Sequence, residues 1–190
     1  MVSRNGSAWI NLDYLLDRSD RVVKVCPQWS DFARQRMALQ LDEEMVLGRS
    51  LWDFIHGGAA QGLYDTLIHH ARKTGRMLTF NYRGDSPSAI RYMRMTLLPG
   101  YHGVVRFQSE LLHEQSRDRS IYFTHVAYPQ HPELLQCGLC NRLNHNGRWY
   151  TLDEALRHTD AIDELMPTEV GDTVCDGCKT RIEVATGVRV

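Results

Sequence analysis

The sequence predicts an α+β protein, an antiparallel sheet with helices packed on one face, followed by a small cysteine-bearing module near the C-terminus. Three observations predict it. Three strand-like segments follow one another: RMLTFNYR, IRYMRMTLLP and GVVRFQSEL, joined by the turn-rich stretches GDSPSA and PGYHG. Just before them, GLYDTLIHHARKTG has its apolar residues at helical spacing. Far downstream stand two CxxC pairs, Cys137/Cys140 and Cys175/Cys178.

In chain order, RVVKVC reads as a strand, and SDFARQRMALQ as a helix with Phe32, Ala33, Met37 and Leu41 inward and Ser30 as its N-cap. LGRSLWDFI reads as a short helix or turn. The next helix places Leu63, Tyr64, Leu67, Ile68 and Ala71 on one side, Arg72 and Lys73 in its last turn, and Gly75 as its stop. In the strands, Met93, Met95 and Leu97 share one face against Arg94 and Thr96, and Val105 and Phe107 oppose Arg106 and Gln108. SELLHEQSRDRS is expected to continue as a charged helix. The string Arg83-Gly84-Asp85-Ser86 matches an integrin-recognition sequence and is read as turn chemistry. IYFTHVAYPQHPELLQ, with Pro129 and Pro132, bridges to the first CxxC, which places a domain boundary near residue 125.

Composition bounds the partners. Lys plus Arg number 22 against 23 Asp plus Glu, so no whole-chain field draws in nucleic acid or an anionic membrane. No leader-like start and no run of eighteen apolar residues is seen, and the expected compartment is the cytoplasm. Five cysteines in a reducing compartment suit metal or redox roles better than a disulfide framework, and Cys26 stands alone.

From residue 20 to 110, on RVVKVCPQWSDFAR, VLGRSLWDFI and FNYRGDSPSAIRYMRMTLLP, the chain resembles the PAS family of sensory domains. That resemblance implies a five-stranded antiparallel sheet enclosing a ligand cavity, and signalling rather than catalysis. At GRSL the flavin-photoreceptor branch has a reactive cysteine where this chain has Leu51, which argues against light-driven adduct chemistry. Haem-binding members supply a histidine from the long helix, where His69 and His70 lie. Adjacent helical residues point about 100° apart, so at least one of the two is expected in solvent, which favours surface histidines over a haem ligand. Alternating Met93 and Met95 are read as core filling. No cofactor-binding residue is assigned, and the cavity's ligand is unknown.

Two CxxC turns can supply the four thiolates of a tetrahedral zinc site. The 34 residues between them exceed the common spacing. They hold a hairpin turning at Asn146-Gly147 and a helix opened by a Thr151/Glu154 capping box, with Leu152, Ala155 and Leu156 on its apolar side. Closure entropy grows only logarithmically with loop length, so such an insertion is tolerated. With CxxC, GRWYTL and CDGC in order, residues 137 to 180 resemble the zinc-ribbon-like tails found after sensory modules in some bacterial signalling proteins. The resemblance implies a ligand role for Cys137, Cys140, Cys175 and Cys178 and structural zinc as the cofactor. A dithiol–disulfide pair is the alternative, but it normally sits where a strand feeds a helix in a thioredoxin-like βαβ unit, a setting not read at either pair. His145 and His158 are read as ordinary polar residues. Trp149 and Tyr150 suit either an interface or the small core under the hairpin.

From residue 137 to 190 there are nine acidic residues against six basic ones, so a protein partner or a homodimer is expected rather than nucleic acid or membrane. The expected whole is a non-enzymatic regulatory protein with no catalytic residues, a sensory domain over 1–125 and a zinc-ribbon-like module over 126–190. A zinc-thiolate redox switch is the alternative, and an enzyme using the cavity stands third.

Overall fold

The computed structural model describes residues 11–35, 42–126, 133–162 and 166–190. Its first sheet has five antiparallel strands in the order β2-β1-β5-β4-β3. They are β1 (Asn11–Leu16), β2 (Val22–Val25), β3 (Leu78–Arg83), β4 (Ala89–Pro99) and β5 (Val105–Ser116). Between β2 and β3 come α1 (Trp29–Gln35), α2 (Glu43–Val46), a 3-10 turn at Leu51–Asp53 and the long α3 (Gly58–Thr74).

Alternation sets the two faces of this sheet. Registers Tyr14↔Phe107, Leu97↔Phe107 and Leu78↔Leu97 align apolar side chains from four strands on one face. Leu63, Leu67, Ile68 and Ala71 of α3 pack there, as the helical spacing predicts, and Gly75 ends the helix at φ 65°. Tyr14 stacks on Phe107 with ring centroids 4.9 Å apart. The opposite face is wet and carries the pairs Arg94–Glu110 and Arg106–Asp13. His69 is exposed and His70 half-buried, while Met93 and Met95 are buried.

Three expectations change. The segment SELLHEQS is the second half of β5 rather than a helix, held by pairing from Ala89↔Ser116 to Met93↔Leu111 across a bulge at Tyr92/Met93. The strand β1 is not among the elements the sequence predicts, although Leu12, Tyr14 and Leu16 alternate as a half-buried strand requires. Helix α1 begins at Trp29, one residue before Ser30, whose hydroxyl instead accepts the Glu43 amide at 3.3 Å. Met37 and Leu41 lie outside the described residues.

The Arg-Gly-Asp string folds inward. Asp85 is 9% exposed and accepts from Arg83 at 2.5 Å and Arg117 at 2.6 Å, which makes it part of the turn's own hydrogen bonding.

The second sheet runs β6-β10-β7-β8-β9. Its strands are β6 (Phe123–His125), β7 (Leu134–Cys137), β8 (Leu143–His145), β9 (Arg148–Tyr150) and β10 (Thr168–Thr173). β10 runs parallel to both β6 and β7, while β7, β8 and β9 are antiparallel. The β8–β9 hairpin turns at Asn146 (φ 51°) and Gly147 (φ 83°), the dihedrals this dipeptide tolerates. Helix α4 (Leu152–His158) carries the predicted capping box, and α5 (Asp176–Thr186) follows β10 directly. Leu134, Leu143, Leu152, Ala155 and Val170 form a small core under this sheet.

The two sheets meet closely. Helix α5 packs against β3, and the Arg83 amide donates to the Leu139 carbonyl at 2.7 Å. Gly57, at φ 78°, brings the start of α3 so near β10 that a Cβ there would lie 2.4 Å from the Asp172 carbonyl oxygen. Among the described residues, no helix is long and apolar enough to cross a membrane.

Candidate metal centre

Cys137 ends β7, and the chain turns at once. The Asn141 amide donates to the Cys137 carbonyl at 2.8 Å and the Cys137 amide to the Arg142 carbonyl at 2.9 Å. Asn141 closes the turn at φ 56°, a left-handed conformation that asparagine tolerates better than most residues. Gly138 donates to the Thr173 carbonyl at 3.0 Å, tying this turn to β10. The second pair lies on the other side of that tie. Cys175 is the N-cap of α5, and Cys178 sits in the first helical turn, its amide bonded to the Cys175 carbonyl at 2.9 Å.

These elements bring all four predicted sulfurs within 4.8 Å of one another. Cys137 and Cys178 are 3.7 Å apart at Sγ, and Cys140 and Cys175 are 3.8 Å apart. A zinc ion about 2.3 Å from four sulfurs at tetrahedral corners sets each pair about 3.8 Å apart, whereas a disulfide needs about 2.05 Å. The spacing therefore fits four ligands around one ion and fits no disulfide. Three of the four cysteines are buried, and Cys140 is half-buried.

The surroundings favour negative sulfur. The Cys175 amide donates to Cys137 Sγ at 3.4 Å, and Arg181 Nη2 donates to Cys178 Sγ at 2.8 Å. Two of the sulfurs sit at the start of α5, where the helix dipole favours anions. Contacts with Cys140 and Cys178, then the amides of Cys175 and Leu139, hold the Cys137 thiol far below its ordinary range. Contact with Cys137 pushes Cys140 up to about 11 and Cys178 well up. Four sulfurs this close share protons and cannot all ionise unless a cation stands among them. Burial works against the Arg181 charge, yet the sulfurs, Cys178 first, raise its affinity for its proton overall. A divalent ion here would be held by Cys137, Cys140, Cys175 and Cys178, with Arg181 as an outer partner.

The pair Cys175/Cys178 lies where a strand feeds a helix, β10 into α5, but among the described residues no strand follows α5 to complete a βαβ unit. That setting depends on β10 pairing with β6 and β7, strands far away in sequence, so TEVGDT gave no local sign of it. His145 and His158 stand apart from the sulfurs: His145 lies beside Asn146, and the His158 ring packs 5.8 Å from that of Tyr150. Trp149 packs partly against the larger core and Tyr150 against the smaller one, so both contribute to packing.

A cleft of about 750 Å³ runs beside the sulfurs, with Cys140, Cys178, Arg142, Arg181 and the β3 residues Phe80–Arg83 in its walls. Sequence reasoning missed Arg181, although its spacing of three residues after Cys178 on a helix could have pointed to it.

No family model and no curated protein matches the chain. A solved structure, a domain of an HTR-like protein from Haloarcula marismortui, is similar at 12% identity and a TM-score of 0.35, over 54% of this chain and 98% of that one.

Proposed function

We propose that the chain is a non-enzymatic regulatory protein of the cytoplasm, in which a PAS-like sensory unit (1–125) is coupled to a zinc-ribbon-like unit (126–190) built around structural zinc. The observation that carries this reading is where the sulfurs lie. Cys137, Cys175 and Cys178 belong to the same hydrophobic cluster as Leu67, Leu97 and Phe107 on the core face of the first sheet. An ion held there would tie the turn after β7 to the start of α5, the helix that packs on β3, and so fix the face that the second unit turns toward the first.

Further features support the reading. The five-stranded antiparallel sheet with its helices on one face is the arrangement that the PAS resemblance implies. Four sulfur ligands leave zinc no position for water, which suits a structural role. The acidic balance from 137 to 190 favours a protein surface or a second copy as partner. Val184, 82% exposed on α5, offers such a partner an apolar contact.

Native mass spectrometry of the purified chain tests the proposal. One zinc per chain is expected, and a chain that is folded and metal-free as isolated would refute it.

A redox switch is the second reading, favoured by Cys175 and Cys178 at a strand-to-helix junction and by the partial exposure of Cys140. Peroxide would take two electrons from two thiolates and leave as water, while a disulfide forms and the ion departs. Zinc released to a chromogenic chelator under mild peroxide, and rebound after thiol reduction, would establish it.

A further inference from the structure

Against the first sheet lies a second cavity, of about 210 Å³, with no cysteine in its wall. Its walls are mostly apolar or aromatic and include Tyr14, Trp29, Tyr82, Met93 and Met95. Tyr82 spends its hydroxyl proton on Ser109 Oγ at 3.0 Å. The charged member of the wall is Arg91. Its side chain is only 10% exposed, its Nε donates to Glu114, and its Nη1 is buried with no hydrogen-bond partner among the described residues. A buried guanidinium N–H left unpaired is rare and calls for an acceptor.

Nearby carboxylates do not supply one. Asp85 already accepts from Arg83, from Arg117 and from the Arg91 backbone amide at 3.0 Å. Glu114 is engaged at Nε, and its side chain is 39% exposed. Arg83 and Arg117 share Asp85, and Arg91 pairs with Glu114 through Nε, so these ion pairs leave Arg91 Nη1 free to meet a further acceptor.

We infer that this cavity binds a small monocarboxylate with an aromatic or branched aliphatic body, one carboxylate oxygen accepting from Arg91 Nη1. This rests on the reading of the first unit as sensory and names the class of molecule sensed. The apolar walls exclude a bare inorganic anion, which would lose its hydration there for a single donor. Size sets the body: a dry cavity of about 150 Å³ takes benzene, so this one takes about eight non-hydrogen atoms.

The test uses the full-length zinc-loaded chain, with benzoate and its neutral isostere benzamide as probes, followed by calorimetry and amide exchange. Benzoate is expected to bind at least about tenfold more tightly than benzamide. Arg91→Met should abolish that preference, and Met93→Phe, which fills the cavity, should weaken both probes. Arg94→Met, on the wet face, should change neither. Equal binding of the two probes, binding of neither, or full benzoate affinity in Arg91→Met overturns the inference, and cooperative melting verifies that each variant is folded. Equal binding leaves the sensory reading standing. Benzoate binding with unchanged exchange at Leu139 supports the site and removes the sensory reading instead.

Discussion

Replacing Gly57 with alanine probes the joint between the two sheets. Gly57 sits at φ 78° and ψ 124° immediately before α3, a conformation that costs a residue with a side chain about 1–3 kcal/mol. The added Cβ would lie 2.4 Å from the Asp172 carbonyl oxygen and 2.9 Å from Asp172 Cβ. Carbon and oxygen in contact stay about 3.3 Å apart, so β10 must retreat by about 0.9 Å, an overpacking worth about 1–3 kcal/mol. Together these predict a loss near 4 kcal/mol, about 8–16 °C in melting temperature for a chain of this size. Two controls separate the contributions. Gly147→Ala also falls at a positive φ, 83°, but meets nothing within 4 Å, so a conformational loss should appear without the clash. Gly62→Ala lies inside α3 in open space and should stabilise by about 0.8–1.0 kcal/mol. Thermal and denaturant melts of the three variants decide it. If Gly57→Ala and Gly147→Ala lose the same stability, β10 does not press on α3 and the tight joint is refuted.

The metal centre and the α4 cap make further predictions. Stripping zinc with a strong chelator should lower the melting temperature by about 8–16 °C, the linkage expected when free zinc stood a thousandfold above its Kd. Differential scanning calorimetry before and after zinc is restored checks it. Arg181→Met removes the donor to Cys178 and should weaken zinc binding about 10–100-fold, measured by competition with a chromogenic chelator. The capping box has a pH signature. The Thr151 amide, then its hydroxyl, hold the Glu154 carboxyl below its ordinary 4.5, so its contribution is complete above pH 4.5 and fades as pH falls through the lower folded value. Thr151→Ala should therefore lower the melting temperature by roughly 2–4 °C at pH 7, and by less in acid.

What the sequence disclosed was what local chemistry decides. The CxxC spacing, the Asn146-Gly147 turn, the Thr151/Glu154 box and the periodicity of α3 each depend on residues a few positions apart, and each appears as read. The rest depends on partners distant in sequence. SELLHEQS has the charge of an exposed helix and becomes strand because β4 lies beside it, with Arg91 reaching Glu114 across the pair. TEVGDT contains Gly171 and Asp172, poor strand formers, and is a strand because β6 and β7 flank it in parallel. The setting of Cys175 and Cys178 was hidden for that same reason, and with it the observation that favours the redox reading. The boundary at residue 125 was read from linker composition, which cannot reveal a core shared across it.

That shared core orders events during synthesis. The five strands of the first sheet have all been made by Ser116, yet the cluster beneath them also contains Cys137, Val174, Ile182 and Val188. Until those residues leave the ribosome, the apolar surface between α3 and β3 has no cover, and an uncovered face beside the β3 edge invites pairing with other chains. Zinc capture once Cys178 has been made would help close that window, making metal supply a determinant of yield as much as of stability.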